Sequence, residues 1–294
     1  MSRFVATLPE PQRAALAATY DKSVASRRQQ LWLGFVVFLL ALAAALRGAE
    51  VDPVNFWDHL GNFFGYFDRL MTLDTGARVW TDPVDWYWGF FRWLRLLGET
   101  VLIAYVGTIT GALIAFCACF VASNNLVESA WLRVTVRRML EFLRTVPDIV
   151  FAMLFVVAFG LGPMAGVLAL ALHSAGTLGK LFTEVVEGVD MKPIEGVQAA
   201  GGTWLARVRF GAVPQVLSNF ASYTLLRLEM NVRGAAVIGF VGAGGIGEDL
   251  LVAIRKFYYQ DVSAVLLMIV VCVMLLDMGS ERLRHRLLAL ESHS

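Results

Sequence analysis

Three charged side chains interrupt an otherwise apolar stretch of this sequence, Val216 to Val241: Arg227, Glu229 and Arg233. A charge inside a membrane-length apolar run costs about 2.5–3.5 kcal/mol on insertion scales, so such a residue is a functional candidate by default. Glu229 and Arg233 stand four residues apart in the order that favours an ion pair within one helix. The spacing predicts a self-neutralising structural pair, with Arg233 also open to an anion path. Arg227 and Asn231 are also four apart, and Arg227 lies about 200° round the helix from Glu229. No acid stands at helical spacing from Arg227. Its planar fork of donors matches the oxygens of a tetrahedral oxyanion. The competing use is a carboxylate on a neighbouring helix. His173 and Ser174 sit in the middle of another apolar run, Met164 to Phe182, where a lone His commonly serves as a hydrogen-bonded packing residue; with Asn231 they are also the candidate neutral donors of the substrate pathway. Lys180 ends that run and can snorkel.

The elements that must hold these groups follow from composition. Of 294 residues, 57% are hydrophobic and 17% charged, with a mean hydropathy of +0.63. A soluble domain carries about 25% charged residues. This chain is therefore predicted to be an all-α, polytopic membrane protein. A net charge of +1 gives no nucleic-acid footprint. Cys117, Cys119 and Cys272 lie in apolar runs and read as small buried hydrophobes, and no metal-ligand spacing occurs.

Six spans are predicted. Residues 1–30 are polar and basic, and 31–47 form the first span. Residues 48–95 hold seven acids and seven of the tryptophans and tyrosines that concentrate at membrane–water interfaces, among them Trp57, Trp80, Trp86, Tyr87, Trp88 and Trp93. They read as an outward excursion with one or two helices lying along the membrane. The core, 96–281, carries the other five spans: Leu97–Ala122, one beginning at Ile149–Phe159, Met164–Phe182, Val216–Val241 and Val262–Leu276. Residues 183–214 form a polar loop, and 282–294 a basic tail. With six spans the basic tail, the Arg133–Arg144 cluster and the Arg-rich C-terminus share one side, the cytoplasm.

Gly242, Gly244, Gly245 and Gly247 fit G-x-G-x-x-G, yet an apolar helix precedes them and no soluble strand–helix unit surrounds them. They read as a helix break, either packed closely against protein or with freed N–H groups facing an anion. No G-x-x-x-x-G-K-[ST] sequence occurs, so the chain shows no ATP site of its own.

The polar loop reads Glu195-Gly-Val-Gln-Ala199-Ala200-Gly201, with Val213-Pro214 following. It resembles the cytoplasmic coupling loop of ABC importer permeases. Glu195, Gly201 and Pro214 hold the expected places, while Gly196 and Val197 replace two alanines. The stretches Ser222–Gly247, Leu168–Gly176 and Phe159–Pro163 resemble the phosphonate-type branch of these permeases, and the likeness spans roughly 95–285. The resemblance implies a type I importer permease fold with six transmembrane helices. It implies a bacterial inner-membrane subunit passing phosphonate, phosphite, hypophosphite or phosphate. It also implies a cytoplasmic ATPase dimer carrying ATP and Mg, a periplasmic phosphonate-binding protein and a second permease copy, a homodimer or a paired permease. The chain itself then needs no cofactor and catalyses no bond change. A different class remains open: an intramembrane enzyme acting on lipid phosphate groups, which needs a carboxylate positioned at His173–Ser174. An ion-coupled secondary transporter would favour an inverted repeat, and none is visible.

Overall fold

The computed structural model describes residues 9–50 and 52–291. Residues 1–8 and 292–294 of the two expected tails lie outside the described residues. In chain order the helices are α1 Glu10–Gly48, α2 Pro53–Asp58, α3 Leu60–Leu70, α4 Pro83–Trp86, α5 Phe90–Ala122, α6 Ala130–Thr145, α7 Asp148–Phe159, α8 Pro163–Glu187, α9 Met191–Ala199, α10 Trp204–Ala206, α11 Val213–Ile238, α12 Ile246–Arg255 and α13 Tyr259–Glu291. A π-helical turn, Arg207–Ala212, leads into α11. A 3-10 turn, Gly239–Val241, leaves it. No named strand occurs among the described residues.

The chain divides into two units, residues 1–67 and 68–294. In the first, α1 is one uninterrupted helix that begins well before the expected span at 31–47. The reason is local: from Gln12 to Leu46 the sequence is rich in Ala, Leu, Arg and Gln, strong helix formers, with no proline to stop it. Its apolar portion covers Lys22–Gly48. Asp52 starts α2 by accepting from the N–H groups of Val54 and Asn55.

In the second unit, four-residue α4 and the turn after it are stitched to the start of α13. Trp86 Nε1 donates to Ser263 Oγ at 3.0 Å and Trp88 Nε1 to Asp261 Oδ1 at 2.8 Å, while Gln260 Nε2 donates to the Asp85 carbonyl at 2.7 Å. Half-buried Trp86 and exposed Trp88 both spend their N–H groups on the protein.

Four helices are long and apolar enough to cross a membrane, and two bent pairs raise the count to six when each pair is taken as one span. The third expected span is one of these pairs. α7 has only 12 residues. It continues α6 through a bend of 88°. Proline drives the residue before it out of the helical region. Val146, before Pro147, accordingly adopts φ −75°, ψ 123° and ends α6. The other pair is the long helix ending at Val241 together with α12, bent by 49° at the glycine break.

α5 and α8 form the centre of the bundle. With lipid as the alternative solvent, close packing replaces hydrophobic drive, and small residues let helices approach. A Cβ added to Gly111 of α5 would fall 2.7 Å from the Ala171 carbonyl oxygen and the Ser174 Cβ of α8. That contact brings Ser174 into the interior. Further along, Phe182 and Phe220 stack at 3.9 Å, with Phe116 edge-on to Phe220 and Phe120 edge-on to Phe116.

Candidate functional site

The helical repeat puts Arg227, Asn231 and Gly234 on one face of α11. That face turns into the bundle, where Arg227 is 7% and Asn231 2% exposed. There a seam of hydroxyls meets it. Asn231 Nδ2 donates to Thr108 Oγ1 of α5 and to Ser174 Oγ of α8, both at 2.8 Å. Arg227 Nε donates to the same Ser174 Oγ at 3.2 Å. Thr108 in turn donates to the Ala104 carbonyl at 2.6 Å. A buried polar group is costly unless bonded, and this network bonds four of them to one another across three helices.

The guanidinium is only partly used. Its Nη groups hydrogen-bond to nothing among the described residues, and they are not among the enclosed polar atoms left without a partner, which are Asn125 Oδ1 and Asp277 Oδ1. The Nη fork therefore reaches accessible space while Nε is anchored. That arrangement suits reversible contact with an oxyanion, since planar paired donors match two of its oxygens.

His173 stands beside Ser174 but faces the α6–α7 corner. Its Nδ1 lies 2.9 Å from the Val146 carbonyl, which the proline bend leaves without a helical donor. His173 is thus committed to holding the corner. Asp148, the first residue of α7, accepts from the otherwise free Ile149 N–H at Oδ1, 2.9 Å away.

Arg233 does not join this seam. The expected pair with Glu229 is not formed. Arg233 Nη2 instead bridges to Asp277 Oδ2 of α13 at 2.7 Å. The correction has a packing cause. α13 lies along α11 and presents a carboxylate directly to the guanidinium, whereas an i,i+4 pair must bend two long side chains along one helix. Glu229 lines a small cavity of about 200 Å³ between α11 and α13, with Leu228, Val232, Leu276 and Ser280. Lys180 pairs with Glu184 at 3.6 Å within α8.

The glycine run forms the bend between α11 and α12. Gly242, Gly244 and Gly245 have φ of +84°, +83° and +80°, the left-handed region open to glycine. The turn is packed, not open. Gly162 N–H donates to the Gly242 carbonyl at 2.9 Å, and Gly244 abuts Pro163. The first N–H of α12, on Ile246, donates to Thr100 Oγ1 of α5 at 2.8 Å. Gly247 backs onto α11 so closely that a Cβ would overlap the Ala236 carbonyl.

Residues 183–214 hold a short exposed helix, α9. Asp190 caps it by accepting from Lys192 N–H. One side chain, Ile194, is 1% exposed and roots the helix against Gly211 of the π-helical turn. Glu195, Gly196, Ala199 and Ala200 are exposed. Gly201 ends it at φ +79° with no atom within 4 Å of where a Cβ would stand. Pro214 lies in the first turn of α11, where its missing N–H costs nothing. The outcome is a knob with a flat, small-residue crown.

A bundle with broken helices, a buried arginine seam and a protruding small-residue helix has the parts of a solute permease. Residues 107–287 match the family model described as "Binding-protein-dependent transport system inner membrane component". The chain belongs to that family. The phosphite transport system permease protein PtxC of Stutzerimonas stutzeri is 39% identical over 196 residues, covering 67% of this chain and 71% of that protein. The putative cryptic phosphonate transport system permease protein PhnE2 of Escherichia coli strain K12 is 48% identical over 117 residues, covering 40% of this chain and 96% of that protein. Among solved structures, a MetNI methionine ABC transporter aligns with TM-score 0.59 at 22% identity, covering 70% of this chain and 98% of that one. At that identity the likeness speaks for the fold alone.

As a binding-protein-dependent permease, the chain is a transport component of an ABC importer whose ATPase is a separate subunit. The lipid-phosphate enzyme is thereby set aside. The matched span contains every residue of the seam. Sequence reasoning missed Thr108, Thr100, Asp148 and Asp277. A threonine inside a span bonds to its own helix and leaves no periodic signal. Asp148 carries one signal, an acid directly after the proline that enters a span.

Proposed function

We propose that this permease passes a phosphorus oxyanion of the phosphonate, phosphite, hypophosphite or phosphate kind across a bacterial inner membrane, as one subunit of an ATP-driven importer. The observation that carries the reading is Arg227: buried in the bundle, anchored through Nε to Ser174, with its Nη fork unbonded. The names of the relatives, phosphite and phosphonate permeases, support the same chemistry. A periplasmic binding protein delivers the anion. A cytoplasmic ATPase dimer, holding ATP and Mg, grips Glu195, Ala199, Ala200 and Gly201 of α9 and drives opening. A second copy of this chain completes the path. Both termini are cytoplasmic.

The test is uptake into proteoliposomes holding the permease with its ATPase and binding protein, one phosphorus anion at a time. Wild type is expected to take up at least one of the four. Arg227→Ala is expected to lose about tenfold or more of the rate, the worth of one or two charged hydrogen bonds, with complex assembly unchanged. Arg227→Lys does not restore the rate, because an ammonium lacks the fork. Normal uptake by Arg227→Ala overturns the reading of this site.

A further inference from the structure

A buried guanidinium with a free fork has a difficulty as a transport site. Passage needs attraction that is weak enough for release. Something must compete with the anion for Arg227, and the structure supplies one candidate on the same face. Arg227 and Gly234 are seven residues apart on α11, two turns along one side. α7 reaches that side at Gly234: a Cβ there would stand 3.2 Å from Asp148 Oδ2. The carboxylate therefore reaches α11 over the residue that has no side chain.

Asp148 is held but not neutralised. Its Oδ1 accepts from Ile149 N–H at 2.9 Å, and its Oδ2 makes no hydrogen bond among the described residues. No ion pair within 4.0 Å joins it to Arg227 or to any other cation among the described residues. A guanidinium fork and a carboxylate oxygen, both unpartnered, thus share one face of α11 without touching.

We propose that Asp148 is a specificity-determining residue of this permease: its carboxylate is the standing counter-charge of Arg227, weakens the hold on an arriving oxyanion, and penalises a doubly charged anion more than a singly charged one. The inference rests on the oxyanion reading of the Arg227 site. With Arg227 and Asp148 both charged, the empty pair sums to zero. A monoanion leaves the site at minus one and a dianion at minus two, so the second charge adds to the repulsion from Asp148 about two helical turns along the same face. Gly234 is part of the device, since a methyl group there crowds the carboxylate.

The experiment measures binding directly to the permease–ATPase complex in lipid nanodiscs at pH 8, without binding protein. Hypophosphite has a single ionisable proton and is a monoanion. Phosphite has two, and the second ionisation of such phosphorus acids lies near pH ~6, so at pH 8 it is a dianion. Asp148→Asn removes the charge and keeps an oxygen to cap Ile149. It is expected to tighten phosphite by roughly tenfold and hypophosphite by clearly less. Equal changes for both anions, no change, or weaker binding overturn the proposal. Asp148→Ser, which also offers a cap oxygen, is read the same way if Asn disrupts the corner. If neither variant assembles, Asp148 is a structural cap and the proposal falls. Wild-type uptake of either anion in proteoliposomes keeps the oxyanion reading whatever Asp148 does. Wild type that neither binds nor carries any of them overturns both.

Discussion

Arg227 and Arg233 differ by six positions and by nearly everything else. Arg227 enters the seam with only a neutral hydroxyl at its Nε. Arg233 leaves it and meets Asp277 on α13 at 2.7 Å. Asp277 Oδ1 is enclosed and without a partner, so Arg233 is its main compensation. Arg233→Ala therefore strands Asp277 rather than Glu229, and an uncompensated charge within a span costs up to about 3 kcal/mol. Protein yield and melting temperature of the detergent-purified complex are expected to fall in Arg233→Ala. They should recover when Asp277→Asn is added, and stay low when Glu229→Gln is added. Recovery with Glu229→Gln instead would show that the pair lies within α11. This is also where the sequence runs out at the residue scale. Helical spacing makes the shared face of Arg227 and Asn231 legible, because it is a property of one helix. It cannot say which acid on another helix a charge will meet.

The elements show a similar division. The glycine run, the exposed α9 and the Pro214 start of α11 all follow from local backbone chemistry, and all were legible. The bend at Val146–Pro147 was only half legible: proline marks the end of one helix, but the 88° turn to α7 and the capture of Val146 by His173 need the packed bundle. At α9 the local chemistry gives a sharp test. Gly201 has φ +79°, so a side chain there costs about 1–2 kcal/mol of strain, yet nothing stands within 4 Å to clash with it. Gly201→Leu is thus expected to fold and insert normally, with its melting temperature lowered by a few degrees at most. It places a bulky group beside the small-residue crown of Glu195, Ala199 and Ala200. Uptake should fall to background, and ATPase activity should no longer rise with loaded binding protein. Uptake at the wild-type rate would remove the docking role from α9.

For the whole molecule, the decisive question is how many times the chain crosses. Four helices qualify alone, and six spans result only if each bent pair crosses once. Both counts are even, so both leave the N- and C-termini on one side, and reporters at the ends cannot separate them. The loop around α9 can. With six crossings it lies on the side of the termini, and with four it lies opposite, because α8 then becomes the third crossing instead of the fourth. Charge favours six. Positive residues mark the cytoplasmic side, and the Arg133–Arg144 cluster and the Arg282–Arg286 tail share a side in either case, while Lys192, Arg207 and Arg209 join them only with six. A phosphatase reporter, active only outside the cytoplasm, is therefore expected to work when inserted at the exposed Asp74 turn and to fail after Ser294. It should also fail in the Gly201–Gly202 turn. Activity at Gly201–Gly202 would make both bent pairs re-entrant and put α9 out of reach of a cytoplasmic ATPase. Activity after Ser294 would invert the map altogether.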